Sequence, residues 1–352
     1  MRSIMIDGHQ ITQDGDAWVV AEIGHNHGGK LDTAIEMCRV AKECGCDAVK
    51  LQKRTLSRCF TKTFLATPYN SEHAFGRTYG EHREALEFGT VEYMELMAYC
   101  KEIGITFFAT AFDEEAADFL EDLDVPCFKI ASGDLLNYPL IEHIAKKRKP
   151  MIISTGGGNI DEIMKVDIIT LMHGAPVAFL HCVASYPTQA DIANLSVIPV
   201  MMHTFSTCII GYSCHYNGIL LAEDAYRWGA RIIEKHFTLD HTAKGSDHAL
   251  SLQPQGMKSL VRNLRRMRVD RGDGEKHRIP EEWKPLEKME KVAYPKKLLT
   301  AGTVIDLSEV VLKSPATRDG FRGNRLCELA GKTVKQDCST SVPLTNDLLE
   351  DE

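Results

Sequence analysis

The sequence predicts an α/β fold, a (β/α)8 TIM barrel followed by a small β-rich unit. Three observations carry this. Eight apolar runs recur along the chain, amphipathic helical patterns lie between them, and the run starts fall mostly about 20 to 30 residues apart. A doubly wound open sheet shows the same alternation, but the count of eight decides for the closed barrel.

The elements follow in order. Residues 4–16 read as a short hairpin around Asp7-Gly8 that plugs the barrel floor. The eight runs are 18–23, carrying Glu22; 48–53, with Lys50 and Gln52; 105–110, ending at Thr110; and 127–132, with Lys129 and Ser132. The others are 150–155; 177–182, with His181; 208–215, with Ser213 and His215; and 232–237, with Glu234 and His236. Between them, Leu31, Ala34, Ile35, Cys38 and Ala41 share one helical face. Gly45, Gly104 and Gly229 stand where helices should end. Residues 54–89 form an excursion long enough to be a lid or binding segment. The eighth helix spans 253–269. The barrel domain then covers 1–270, a charged linker with Pro280 and Pro285 covers 271–291, and the β-leaning unit covers 292–352.

Composition removes several function classes. With 44% hydrophobic and 26% charged residues over 352 positions, the chain has a sizeable core. A net charge of -8 argues against a nucleic-acid partner. The apolar runs are too short to span a membrane, and residues 1–10 lack a signal core. Eleven cysteines without a CxxC pair read as free thiols in a reducing cytoplasm.

Ionisable groups at the ends of buried strands are costly unless they converge, and barrels keep their active sites at the mouth. Side chains alternate along a strand, so Lys50 pairs in direction with Gln52, Ser213 with His215, and Glu234 with His236. His215 and His236 end neighbouring strands, within reach of one divalent ion with open positions for water and substrate. The plainer reading is two hydrogen-bonded core histidines. Lys50 and Lys129, with Thr110, Ser132 and Ser213, make a cationic, hydroxyl-rich cradle for phosphate plus carboxylate. Each lysine alone reads equally as an ion-pair partner of Glu22 or Glu234, or as a Schiff-base nucleophile with a depressed pKa. The run Thr155-Gly156-Gly157-Gly158 reads either as a ligand-approaching loop or as an ordinary strand-to-helix turn.

Longer motifs carry a resemblance. Ala21-Glu22-Ile23-Gly24-His25-Asn26-His27-Gly28-Gly29, Phe128-Lys129-Ile130-Ala131-Ser132-Gly133-Asp134, His181-Cys182 with Tyr186-Pro187, and Ile233-Glu234-Lys235-His236-Phe237 resemble the N-acetylneuraminate (sialic acid) synthase family, spore-coat polysaccharide members included. Residues 299–305, 310–315 and 329–332 resemble that family's C-terminal antifreeze-like (SAF) domain. The resemblance implies a metal-dependent condensation of phosphoenolpyruvate with the aldehyde of an N-acylated hexosamine. It places phosphoenolpyruvate on Lys50, Thr110, Lys129, Ser132 and Ser213, and manganese or magnesium on His215 and His236. Glu22, Gln52, Tyr186 and Asp247 would position the sugar, with Asn70 from the long loop. Glu22 and Asp247, beside His236, are the catalytic candidates for proton transfer. A domain-swapped homodimer is implied as well.

Three positions depart from the family's usual pattern: Ala184, Cys214 and Ser314, with Arg318 near enough in sequence to stand in for the last. A Schiff-base aldolase and a carbohydrate-binding barrel without turnover are the alternatives.

Overall fold

The computed structural model describes residues 2–350, so Met1, Asp351 and Glu352, which bound the expected domains, lie outside the described residues. The chain divides between Gly272 and Asp273 into two units.

The first unit opens with an antiparallel hairpin, β1 (Ser3–Ile6) and β2 (His9–Thr12). Eight parallel strands follow: β3 (Trp18–Gly24), β4 (Ala48–Lys53), β5 (Thr106–Ala111), β6 (Phe128–Ile130), β7 (Met151–Ser154), β8 (Val177–Cys182), β9 (Ile209–Cys214) and β10 (Ile232–His236). They close into a barrel through β10 on β3. The strands are buried along their whole length because helices cover the outside and side chains fill the inside. Ile4, Ile6 and Ile11 of the hairpin pack with Trp18, Val20 and Phe108 in the lumen, so the hairpin does plug the floor. The other phase of each strand, such as Val19, Val49 and Ile210, packs outward against the helices. The helices start where local chemistry favours it. Asn159 caps Ile160–His173 in a reciprocal box with Glu162, and Asp113 accepts from Ala116 at the head of Glu114–Asp122.

Two departures from regularity shape the mouth. The register slips between Glu22 and Gly24 of β3, a bulge of the kind that re-aims side chains beside active sites. Gly24 sits at φ 54, and a Cβ there would come within 3.1 Å of Glu22 Oε1 and 3.2 Å of Gln52 Nε2. A few residues on, Gly29 at φ 72 lies so close to the long excursion that a Cβ would stand 2.0 Å from the Ala85 carbonyl. The excursion itself is ordered. Short helices Leu56–Cys59, Lys62–Leu65 and Tyr79–Glu84 and a Pro68–Thr78 bridge surround a cluster of Phe60, Phe64, Tyr69, Tyr79 and His82.

His27 in the same turn stacks on Phe88 at 4.2 Å and accepts from the Gly29 amide at 3.1 Å through Nδ1. Burial first, then the neighbouring His25, lowers its pKa to about 3 from an ordinary 6.5. The folded state therefore binds fewer protons than the unfolded chain between those values. Stability is fully present above pH 6.5 and falls as pH drops towards 3. Thermal melts should show Tm falling on acidification through this window. In His27→Gln, whose amide oxygen can still accept from Gly29, the fall should be smaller; an identical fall would assign the acid lability to other groups.

The second unit pairs β11 (Val292–Pro295) with β12 (Val310–Lys313), antiparallel, over a core that includes Leu299, Phe321, Leu329, Val334 and Leu344. The expected linker 271–291 is not a bare connection, because Trp283–Met289 is helical. Arg278 and Arg322 both pair with Glu290 at 2.9 Å, and Arg318 and Arg322 lie over the Trp283 ring. Those contacts tie this segment into the second unit. Among the described residues no helix is long and apolar enough to cross a membrane, and all eleven cysteines are free.

Candidate active site

At the C-terminal mouth of the barrel, strand phase brings the lumen-facing polar side chains around a cavity of about 450 Å³. In the ladder His236 stands opposite Glu22, Glu22 opposite Lys50, Gln52 opposite Thr110, Thr110 opposite Lys129, and Ser213 opposite Glu234. All of them line the cavity, as do Ser132, Tyr186 and Asp247. Ser132 arrives on the short turn after β6 and accepts from the Gly156 amide at 3.1 Å.

The inner wall is a buried charge network. Lys50 Nζ lies 2.6 Å from Glu22 Oε2 and 3.7 Å from Glu234 Oε1, and donates to Thr110 Oγ1 at 2.9 Å. Gln52 donates to Glu22 at 2.7 Å, and Ser213 to Glu234 at 3.3 Å. Lys129 Nζ donates to Ser154 at 2.6 Å and stands 3.8 Å from Glu234. Burial pulls the Lys50 pKa down, yet Glu22 and Glu234 outweigh it and hold the ammonium above its ordinary value. For Lys129 burial wins against Glu234, and its pKa is lowered. Glu234 is held below its ordinary value by Lys129 and Lys50 against the upward push of burial. Two lysines facing two carboxylates give an incoming anion directed donors in a low-dielectric pocket without a large net charge.

The opposite wall carries the imidazoles. The rings of His215 and His236 are 5.5 Å apart, and Tyr186 lies against His215 at 4.0 Å. His215 donates from Nδ1 to the Val183 carbonyl at 3.0 Å, which leaves Nε2 for a ligand. Burial, then His236, lowers its pKa to about 4, so it is neutral at pH 7, the form that binds metal. His236 Nδ1 is buried with no hydrogen-bond partner, 3.9 Å from Asp247 Oδ2. Against burial, His236 first among its neighbours draws the Asp247 pKa down and keeps it a carboxylate. Among the described residues no group of three or more His, Cys, Asp or Glu forms a metal cage. Two imidazoles, one with an orphaned nitrogen, fit an open divalent site completed by substrate and water.

The structure departs from the sequence reading at two places. Asn70 is exposed and outside the cavity lining, because the excursion folds on its aromatic cluster and turns Phe75, His82 and Arg83 inward instead. His181 faces the helices: its Nε2 meets the Ala193 carbonyl at 2.8 Å and its ring stacks on Tyr212, a core histidine after all. Cys214, out of phase with Ser213 and His215 as alternation requires, points outward, 3.7 Å from the buried Lys235 ammonium. Of the two readings of the glycine run after Thr155, the structure takes the ordinary turn: the glycines are outside the cavity lining, and a Cβ on Gly158 would strike Leu135.

Sequence reasoning missed Ser154, Arg54, Arg83 and His25. Ser154 had a legible signal, the lumen phase of its run. Arg54 and Arg83 had none, because the folding of the excursion brings them together.

Comparison with known proteins gives a consistent result. The profile of the NeuB family matches residues 37–276. The chain is 42% identical to the N-acetylneuraminate-9-phosphate synthase of Mus musculus, over 90% of this chain and 88% of that one. It is 32% identical to the N,N'-diacetyllegionaminic acid synthase of Legionella pneumophila, over 93% of each. The crystal structure of the N-acetylneuraminic acid (sialic acid) synthetase of Leptospira borgpetersenii, in complex with citrate, superposes with a TM-score of 0.69 at 33% identity, covering 81% of this chain and 95% of that one.

Proposed function

The chain belongs to the NeuB family, and from that premise we propose that it condenses phosphoenolpyruvate with the open-chain aldehyde of an N-acylated hexosamine. The products are a sialic-acid-like nonulosonic acid and inorganic phosphate, made in the cytoplasm for surface polysaccharide. One observation carries the reading: a buried lysine–hydroxyl wall and a pair of imidazoles face each other across a single cavity.

Lys50, Thr110, Lys129, Ser132 and Ser213 hold phosphoenolpyruvate, with Ser154 fixing the Lys129 ammonium. His215 and His236 are placed to hold a divalent ion, manganese or magnesium, which when bound supplies Lewis acidity at the aldehyde oxygen. Gln52 and Tyr186 position the sugar. C3 of phosphoenolpyruvate attacks the aldehyde carbon, and the aldehyde oxygen takes a proton. Water then adds at C2, and phosphate leaves as the C2–oxygen bond breaks. Asp247, ionised beside His236, suits the acceptor of the water proton, and Glu22, against Lys50, suits the relay on the other wall. The second unit, as an antifreeze-like domain in a swapped homodimer, belongs to the same proposal.

Phosphate release from phosphoenolpyruvate, measured over a panel of N-acyl hexosamines with and without manganese, tests the reading. Release that requires both sugar and metal is expected. Silence from metal-replete protein across the panel would leave a binding barrel without turnover. The aldolase alternative draws on the lowered pKa of Lys129. A borohydride-trapped pyruvate adduct on that lysine would favour it.

A further inference from the structure

A second cavity, of about 570 Å³, lies at the barrel floor, the end away from His236. It opens where β2 runs into Gln13 and Asp14 and where the helices Leu220–Arg227 and Pro254–Asp270 end. The condensation uses none of its residues. Arg231, just ahead of β10, lies in its wall with only 5% of its surface exposed. Strand rise separates it from His236 by roughly 17 Å along β10.

Arg231 is only half satisfied. Its Nη1 donates to the Tyr226 carbonyl at 3.1 Å and the Ala230 carbonyl at 2.8 Å, capping the end of Leu220–Arg227. The guanidinium rests over the Tyr226 ring at 4.5 Å. Nε is buried without a partner, and among the described residues no carboxylate lies within 4.0 Å of the group. Burial lowers its pKa, as expected of a cation short of counter-charge. Capping accounts for Nη1 and leaves the Nε edge unexplained. Gln13 brings a second orphan to the same cavity: Nε2 donates to the Gly229 carbonyl at 2.7 Å, while Oε1 is buried with no donor. Leaving a buried charged donor and a buried acceptor unmatched is unfavourable unless a ligand completes both.

The lining says what kind of ligand. On the rim Arg227 and Arg271 offset Asp14 and Asp270, so the uncompensated charge is that of Arg231. A free guanidinium edge is a fork that fits one planar carboxylate. A phosphate dianion fits less well, because two helix C-termini turn partial negative charge towards this cavity. Gln13 Oε1 and the rim carboxylates are acceptors and call for hydroxyl or amide donors, which a simple aromatic acid lacks. Trp228, 49% exposed, adds a flat apolar platform. A carboxylate, several hydroxyls and an apolar ring face together describe an acidic sugar.

We propose that the floor cavity is a second binding site, remote from the mouth, for a carboxylated sugar whose carboxylate pairs with Arg231 and whose hydroxyls meet Gln13 and the rim. A nonulosonic acid, the product of the condensation proposed above, belongs to that class. Binding at the floor does not require that the chain make the acid, so the two readings fail separately.

Calorimetric titration of the full chain with N-acetylneuraminic acid and with its methyl ester, each with and without phosphoenolpyruvate, tests the site. Saturable binding of the acid that persists in phosphoenolpyruvate, and is at least tenfold tighter than that of the uncharged ester, is expected. Arg231→Gln should weaken it at least tenfold, and Arg231→Lys, which keeps the charge without the fork, should recover only part. Because Arg231 also caps a helix, Trp228→Ala at a half-exposed position keeps the test open should Arg231→Gln fail to fold. That variant should weaken binding of the acid at least fivefold and leave phosphate release at the mouth unchanged. Absence of saturable binding would overturn the proposal. So would displacement of the acid by phosphoenolpyruvate, equal binding of the ester, or an affinity unchanged in Trp228→Ala.

Discussion

His236→Ala is expected to abolish metal-dependent phosphate release while leaving the barrel folded. The side chain ends β10 with its ring in the cavity and Nδ1 buried without a partner, so its loss removes no internal hydrogen bond. What it removes is half of the imidazole pair and the group that keeps Asp247 ionised against burial. Lewis-acid polarisation contributes several kcal/mol at the transition state, and about 1.4 kcal/mol is tenfold in rate, so kcat should fall by roughly 10² to 10⁴. Manganese binding followed by electron paramagnetic resonance should weaken in parallel, with Tm nearly unchanged. Full activity in this variant would remove the two-histidine site from the mechanism.

The parts of this site that were legible in the sequence share one cause. A barrel strand is apolar on its outer face along its whole length, so a polar residue near its C-terminal end stands out, and alternation then gives its neighbours two positions away. Lys50 with Gln52, and Glu234 with His236, were readable for that reason. The same apolar character on both faces hides the phase when only one polar residue marks the run. His181 stood out as Glu22 did, yet the strand packs His181 against Tyr212 and the Ala193 carbonyl and sets Cys182 beside His215.

Loops carry no such period. The aromatic cluster of the excursion decides that Arg83 faces inward and Asn70 outward, and the approach of Arg83 to Arg54 is a tertiary event with no local signature. In the second unit, Glu290 draws the charged segment into the fold through Arg278 and Arg322, although its composition reads as a linker.

Lys50→Met is expected to damage stability and catalysis by separable routes. The ammonium lies between two carboxylates, 2.6 Å from Glu22 and 3.7 Å from Glu234, with all three groups buried. Removing one partner of a buried pair leaves charge uncompensated and costs about 3 to 5 kcal/mol, more than the loss of the same side chain at a surface. Glu22 loses its closest cation, and Glu234 keeps only Lys129 at 3.8 Å. Losing Lys50 should raise the proton affinity of Glu234, which Lys129 and Lys50 together hold down against burial. Part of the stability lost at pH 7.5 should therefore return on acidification, opposite in sign to the acid loss at His27. Lys50→Met combined with Glu22→Gln should regain Tm at pH 7.5, because the two changes share one interaction and are not additive. Phosphate release should stay absent in both, since neither variant restores the donor held against Thr110 for the incoming anion. A Lys50→Met protein that melts like its parent at pH 7.5 would show that Glu22 and Glu234 draw their compensation from elsewhere in the wall. Recovery of turnover in the double variant would show that Lys50 serves only to neutralise Glu22.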